Sequence, residues 1–515
     1  MASTSDPTRP TVAIIGAGIA GLCTARVLGK LGFEPTLYEK EAELGGVWAA
    51  SRRYPGLTTQ NPRTTYEFSD FPMPRDYPEW PSGTQVQAYL EQYAQHFGIT
   101  ENLELNAEVR SLEYDTERKR WNIAWAPSGS DQEAAVHERT FDYVVVCNGI
   151  FSVPMIPRFP GDERFAGQII HTSEFNDVEA ARDRNVVIIG YGKSACDAAN
   201  ATVGISRKTT VVARSLIWKI PKKIYNILNF KYLFLTRLGE GLFPYIRIRG
   251  FEKFLHGPGK PVRNFAMNSV EATVAKQLQL ERIGLRPNKP LESIARSTVS
   301  LVTDGFYEKI QSGELGFEKA EIKNLTEDAM ELSNGKTVPA DLIVCGTGWN
   351  QTTPFFSAEQ MKKITDERGN YRLYRSMVPV GVPQLAFNGY NSSFFSQLNA
   401  EIGAYWIAAL FLGQIELPAE DEMNRRIDQR LAWMEARTDG KHSKGTNIIP
   451  FSIHQMDELL ADLDAGFNPV SRLSQWLMPV TGSNYRGVTR KLMKKLQTLS
   501  GGRTQPPAAE TVQGA

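Results

Sequence analysis

Two short runs in this sequence have the glycine spacing that lets a backbone wrap a phosphate. They are Gly16-Ala17-Gly18-Ile19-Ala20-Gly21 and Gly190-Tyr191-Gly192-Lys193-Ser194-Ala195. In such a turn the first glycine permits the tight bend and the second lets the backbone approach a pyrophosphate. The third, which tolerates alanine, lets the following helix pack on the strand. The helix start presents free N–H groups and a partial positive charge to the phosphates. Each run follows an apolar stretch, TVAII and NVVII, and opens a helical one. The candidate cofactor contacts are therefore Gly16, Gly18 and Gly21 at one site and Gly190, Gly192 and Ser194 at the other.

The residues beyond each turn distinguish the two sites. Glu39 ends the next apolar run, 18 residues after Gly21, where a carboxylate can accept ribose hydroxyls. Gly45-Gly46-Val47-Trp48 then predicts a loop running close to the cofactor, with Gly46 against it and Trp48 near a ring system. This favours FAD at the first site. In the second half the acidic residue is replaced by Arg214, followed by Ser215. A carboxylate would repel a 2′-phosphate, whereas a guanidinium binds it bidentately. The expectation is NADPH. Electrons would then pass from nicotinamide to flavin, which leaves the flavin's oxidant to be identified. Disulfide reductases need a cysteine pair, and Cys23, Cys147, Cys196 and Cys345 form no C-x-x-C or C-x-x-x-x-C motif. The same scatter excludes a clustered zinc site. Molecular oxygen is the remaining obvious acceptor.

These turns need sheets to hold them. Thr11–Lys40 and Asn185–Arg214 each read as strand, glycine turn, helix, loop and strand, with Gly16 and Gly190 174 residues apart. That interval is too long for a solenoid and suits two complete domains. Asp142–Cys147 and Asp341–Cys345 are continuous apolar runs of the kind buried in parallel sheets. The first ends in Asn148-Gly149 and the second in Gly346-Thr347-Gly348, at the carboxyl edge where ligands bind. The fold expected is α/β with two doubly wound dinucleotide-binding domains, the NADP domain inserted in the FAD domain. A flexible N-terminus (1–10) leads into the first segment of the FAD domain (11–179), and the NADP domain (180–325) comes next. The second segment of the FAD domain, with C-terminal helices (326–499), precedes a disordered tail (500–515).

Bulk properties narrow the class. The chain of 515 residues is 42% hydrophobic and 22% charged, and 58 basic residues against 57 acidic ones give a net charge of +1. Nothing in that balance suits nucleic acid or a strongly anionic partner. No signal-like segment precedes Thr11. The longest uncharged apolar run, Ile402–Ile415, has 14 residues, against roughly 20 for a bilayer span. It reads as a buried helix, and a cytoplasmic enzyme is expected. Peripheral membrane contact is not expected, and the oligomeric state is open, a homodimer included. The aromatic, basic stretch Trp218–Gly250 admits three readings: a substrate-pocket insertion, a membrane-surface contact or a loop packed on the core.

The ordered motifs resemble those of class B flavin monooxygenases, which comprise flavin-containing monooxygenases, N-hydroxylases and Baeyer–Villiger enzymes. Phe165-Ala166-Gly167-Gln168-Ile169-Ile170-His171-Thr172-Ser173-Glu174-Phe175 matches their linker F-x-G-x-x-x-H-x-x-x-[FY]. Gly346-Thr347-Gly348 resembles the late A-T-G turn that closes over the flavin, with Gly346 and Gly348 as cofactor contacts. Phe68-Ser69-Asp70-Phe71-Pro72 resembles the flavin-containing monooxygenase branch. The likeness covers most of residues 11–420. It implies that NADPH reduces FAD and that oxygen adds to give a C4a-(hydro)peroxyflavin. One oxygen atom then enters a small amine, sulfide or ketone. Baeyer–Villiger enzymes usually carry Trp where Phe175 stands, which tilts the reading toward nitrogen or sulfur. The alternatives are Baeyer–Villiger oxygenation and a reductase without oxygen transfer.

Three side chains are the catalytic candidates. The resemblance puts an amide near the flavin ahead of the FSDFP stretch, at Gln60 or its neighbour Asn61. Either could hydrogen-bond the oxygenated flavin or NADP⁺, or merely satisfy loop backbone groups. His171 could brace the linker or lie near the nicotinamide. Gln397, Asn399 and Glu401, ahead of the long apolar run, either face the site or cap a helix.

Overall fold

A computed structural model describes residues 9–130, 136–296 and 300–500. The expected flexible start and disordered tail fall almost wholly outside the described residues. The elements that hold the glycine turns are, in chain order, β1 (Thr11–Ile15), α1 (Ile19–Lys30), β2 (Glu34–Tyr38), β3 (Leu103–Glu104), β4 (Tyr143–Val146), β5 (Gln168–His171) and β6 (Asn185–Ile189). They continue with α2 (Lys193–Thr202), β7 (Lys208–Ala213), β8 (Leu315–Lys319), β9 (Leu342–Cys345), β10 (Leu385–Phe387) and α3 (Ser396–Phe411).

Two five-stranded sheets result, in the orders β10-β4-β1-β2-β3 and β8-β7-β6-β9-β5. Every pairing in both is parallel. The chain moves outward from β1 to β2 on one side and returns to β4 on the other, and it does the same around β6. Each sheet therefore has a switch point at the carboxyl end of its central strand, where a ligand crevice forms. The repeat extends further than the motifs. A three-stranded antiparallel meander precedes β4 and another precedes β9. Asp142 Oδ2 accepts from Thr11 N at 2.8 Å, and Asp341 Oδ2 accepts from Asn185 N at 2.7 Å.

Burial on both faces explains the unbroken apolar strands. In β1, Val12 and Ile14 enter the core shared with the helices, while Ala13 and Ile15 face the meander side with Trp121, Ile123 and Phe141. β6 divides in the same way, with Val187 and Ile189 against Met330 and Leu332. α3 is buried at every position but Ser396 and Leu410, as a helix apolar on all sides must be. It confirms the buried-helix reading of the long apolar run. Among the described residues no helix is long and apolar enough to cross a membrane.

The second sheet draws on strands from both sides of the 180–325 segment. β5 and β9 both hydrogen-bond within the second sheet, His171 opposite Cys345 and Val186 opposite Leu342. The second unit thus reaches from Gln168 to Cys345, and the first sheet is completed by β10, paired with β4. The stretch Trp218–Gly250 is largely packed on the core: Trp218, Phe230, Leu235 and Phe243 are buried. Its hairpin tip is not, with Ile227 85% exposed.

Candidate active site

The glycines of the first turn divide by what a side chain would meet. Gly16 has φ +106°, and a Cβ there would lie 2.6 Å from the Cys147 carbonyl oxygen. One on Gly21 would lie 1.9 Å from Gly16 O. Both are required by packing at the switch point between β1 and β4. Gly18 is not: its φ is −82°, and its Cβ would meet nothing closer than Gly46 Cα at 3.6 Å. In the second turn Gly190 has φ +117° with Gly346 O 2.5 Å from its would-be Cβ, while Gly192 would meet nothing within 4 Å. Gly192 has φ −74°, a value open to any residue. Packing within the chain therefore does not require glycine at 18 or 192. Neither α1 nor α2 has a side-chain cap or an acidic residue in its first turn. Their N–H groups, Ser194 among them, remain available to a pyrophosphate.

Glu39 stands at the carboxyl end of β2, 7% exposed. Its Oε2 accepts from Ala17 N at 2.8 Å and Oε1 from Glu41 N at 3.1 Å. Burial raises its pKa, and the two backbone N–H groups oppose that rise. Each oxygen keeps a further lone pair for a ribose hydroxyl. In the second half the matching register position is Ala213, not Arg214: Gly16 N bonds Tyr38 O at 2.8 Å, and Gly190 N bonds Val212 O at 2.9 Å. Arg214 is one residue beyond, exposed and without an ion pair among the described residues. The carboxylate is absent and a free guanidinium lies beside its place.

Gly346 and Gly348 lie in the turn that leaves β9. Gly346 follows β9 and packs on Ala195, whose Cβ would be 2.7 Å from a Cβ at 346. The missing side chain at 346 makes room for the alanine that ends the second fingerprint. His171 braces the same turn. Ser173 N–H points at Nδ1 from 3.2 Å, which leaves Nε2 to donate to Gly348 O at 3.0 Å. The imidazole lies edge-on to Trp349, and burial lowers its pKa. Both ring nitrogens are engaged within the chain, Nδ1 at Ser173 and Nε2 at Gly348.

The two candidate amides separate as well. Gln60 Oε1 accepts from Leu301 N at 3.1 Å, a backbone-satisfying role. Asn61, 2% exposed, donates its Nδ2 to Phe394 O, but its buried Oδ1 has no partner. Gln397, in the first turn of α3, is fully buried with both amide atoms unpaired, and the Trp48 indole N–H nearby is unpaired too. The Tyr66 phenol lies between Trp48 and Gln397, its ring 5.6 Å from that of Trp48. Trp48 belongs to the 3₁₀ turn Gly46–Trp48, and Gly46 abuts Gly18. An unpaired buried polar group costs about 1–3 kcal/mol. The Asn61 and Gln397 carbonyl oxygens, left open, and the Trp48 and Gln397 N–H groups, which reach only the Tyr66 phenol, fit a flat heterocycle bearing both N–H and C=O groups, as a flavin does.

The helix-cap reading of Gln397, Asn399 and Glu401 does not hold. α3 starts from Phe395, which offers no side-chain cap. Glu401 accepts from Ser69 N at 2.9 Å and Ser69 Oγ at 2.8 Å and pairs with Arg26 at 3.3 Å. Asn399 bonds Ser393 Oγ at 2.9 Å. Only Gln397 is left open, and its one sequence signal is that it is one of the polar residues in the first turns of a helix that is otherwise apolar from Ile402 on. Tyr66 and Phe394 carried no signal at all.

Two switch-point crevices in one chain, each with an uncapped helix and a vacant glycine, define an oxidoreductase that handles two dinucleotides. Residues 9–473 match the flavin-binding monooxygenase-like family, and the chain belongs to it. It is similar to a probable flavin-containing monooxygenase of Arabidopsis thaliana, 29% identical, with 94% of this chain and 98% of that one covered. Its fold is similar to that of S-allyl-L-cysteine S-oxygenase from Allium sativum, with TM-score 0.62, 21% identity, and 96% and 99% of the two chains covered. It is also similar to cyclohexanone monooxygenase from Rhodococcus sp. Phi1 bound to NADP⁺, with TM-score 0.64, 16% identity, and 89% and 98% covered.

Proposed function

We propose that this flavoprotein uses FAD at the first turn and NADPH at the second to place one atom of O₂ on a nitrogen or sulfur centre of a small molecule. The observation that carries the reading is the open polar set of Trp48 Nε1, Asn61 Oδ1 and the Gln397 amide beside Gly46 and Gly18. Bound flavin supplies two-electron chemistry with nicotinamide and dioxygen. The chain supplies the rest. Gly18, Gly46 and the α1 N-terminus hold the FAD pyrophosphate, and Glu39 takes a ribose. Gly190, Gly192, Ser194 and the α2 N-terminus hold the NADPH pyrophosphate, and Arg214 takes the 2′-phosphate. Asn61 presents an acceptor, and Gln397 both an acceptor and a donor, from buried positions beside Phe394 and on α3. Of this set the Gln397 N–H donor favours negative charge that develops on an oxygen, and the two carbonyl acceptors suit a protonated partner.

Phe175, 1% exposed, occupies the linker position where ketone-oxygenating enzymes usually carry Trp. The test is turnover under ¹⁸O₂ with NADPH and, in parallel, a tertiary amine, a thioether and a cyclic ketone. An N-oxide or sulfoxide carrying one ¹⁸O, formed in step with NADPH loss, supports the proposal. A labelled lactone alone would assign Baeyer–Villiger oxygenation. NADPH loss matched only by hydrogen peroxide would make the protein a reductase or oxidase.

A further inference from the structure

Away from both glycine turns, a cavity of 710 Å³ opens between the Arg237–Phe251 segment and the C-terminal helices. No residue of either turn lines it. Its lining holds seven arginines against four carboxylates. Each of the four carboxylates is already engaged. Asp457 pairs with Arg237 and Arg472. Glu458 takes Arg375. Glu240 and Glu252 hold His454 from its two sides. Arg247 and Arg249 are left exposed with no ion pair among the described residues. Arg430, 8% exposed and facing the same cavity, has a buried Nε without a partner. The cavity therefore carries uncompensated positive charge beside aromatic walls, Tyr245 and Tyr374 among them.

Its rim is apolar to an unusual degree. Trp476 lines the cavity and meets Phe251, which stacks on Phe254. Phe251 and Phe254 are 50% and 47% exposed. On helix Pro469–Leu477 the residues next to the lining Arg472 and Trp476 are Leu473 and Leu477, 71% and 67% exposed. Apolar side chains this large rarely stand together in water. The nearby ionised groups that lack a partner are cationic, with Lys253 and Lys260 beside the two arginines. Apolar residues interleaved with Lys and Arg are the pattern of a protein face that enters an anionic lipid interface.

We infer that this face docks on an anionic phospholipid surface, with a headgroup phosphate between Arg247 and Arg249 at the cavity mouth and the apolar rim in the acyl boundary. A bilayer supplies both halves at once, which a free phosphate does not.

The test uses the FAD-loaded protein with sedimented vesicles of phosphatidylcholine, with and without phosphatidylglycerol. Retention on the anionic vesicles is expected. It should weaken about tenfold or more in Arg247→Ala/Arg249→Ala, fall in Leu473→Ser/Leu477→Ser, and diminish with salt. Flavin content and NADPH oxidation in solution should be unchanged, because these residues lie outside both turns. Failure to sediment, equal retention on neutral vesicles, or full retention of the double arginine variant would each overturn the inference. Binding of free dodecyl phosphate without vesicle retention would also overturn it. So would a dimer in solution that Leu473→Ser/Leu477→Ser dissociates while vesicles do not bind.

Discussion

Gly346 rests so closely on Ala195 that a Cβ at 346 would lie 2.7 Å from the alanine Cβ and 3.0 Å from its Cα. Gly346→Ala is therefore expected to destabilise the protein by about 1–3 kcal/mol, as overpacking does. A lower denaturant midpoint at unchanged slope would register it. Gly192→Ala is the contrasting variant. Nothing lies within 4 Å of the added methyl, so stability should change by less than about 1 kcal/mol while the Kd for NADPH rises. Equal loss of stability in both would make Gly192 a packing glycine.

Arg214 stands free next to Ala213, the position where the first half carries Glu39. A charge-assisted bond to a 2′-phosphate is worth roughly 1.5–3 kcal/mol, or about ten- to a hundredfold in binding. Arg214→Ala should lower the NADPH-over-NADH ratio of kcat/KM by that factor, mainly through KM for NADPH. A variant that kept its preference would remove the assignment.

Gln397 is buried with both amide atoms unpaired. Gln397→Leu removes those atoms at similar volume, so the flavin-free protein should be as stable as the parent, or more stable by about 1–3 kcal/mol. Flavin affinity and the fraction of NADPH coupled to product should both fall. Thermal melts with and without FAD separate the two effects. A melt lowered equally in both would mean that Gln397 serves packing alone.

His454 has Nδ1 2.5 Å from Glu240 Oε1 and Nε2 2.8 Å from Glu252 Oε1. Burial pulls its pKa down, but the two carboxylates prevail and push it up to about 10. The folded value lies above the unfolded value of about 6.5. The stabilisation is thus fully present below that pH and disappears as pH rises through the folded value. His454→Gln should lose stability near neutrality and show a flatter decline toward alkaline pH than the parent. Urea midpoints across that range measure it, and parallel curves would count against the clamp.

Several features were legible in the residues because their causes are local. A glycine turn needs only a short spacing between an apolar strand and a helix, and both fingerprints stand where Gly16 and Gly190 placed them. Parallel strands buried on both faces must be apolar throughout, so Asp142–Cys147 and Asp341–Cys345 declared themselves. The uniformly apolar run from Ile402 likewise had to be a buried helix. Together with the linker around His171 these were enough to indicate the family.

Other features depended on pairings between distant segments. That Gln168–His171 lies beside Leu342–Cys345, and Leu385–Phe387 beside Tyr143–Val146, is decided by which edges remain open once the central strands have assembled. The domain limits, the placing of Gly346 against Ala195, and the Ala213 register all follow from those pairings. The roles of the polar residues were hidden for the same reason. His171, Gln60 and Asn61 are the site candidates in sequence, with Gln397 left between the site and a helix cap, and only the tertiary structure supplies or withholds their partners. Gly348 and Ser173 occupy both nitrogens of His171, Leu301 occupies Gln60, and the Gln397 amide is left without a hydrogen bond. A motif fixes what a side chain can do, whereas long-range packing decides which of its hydrogen bonds remain to be made.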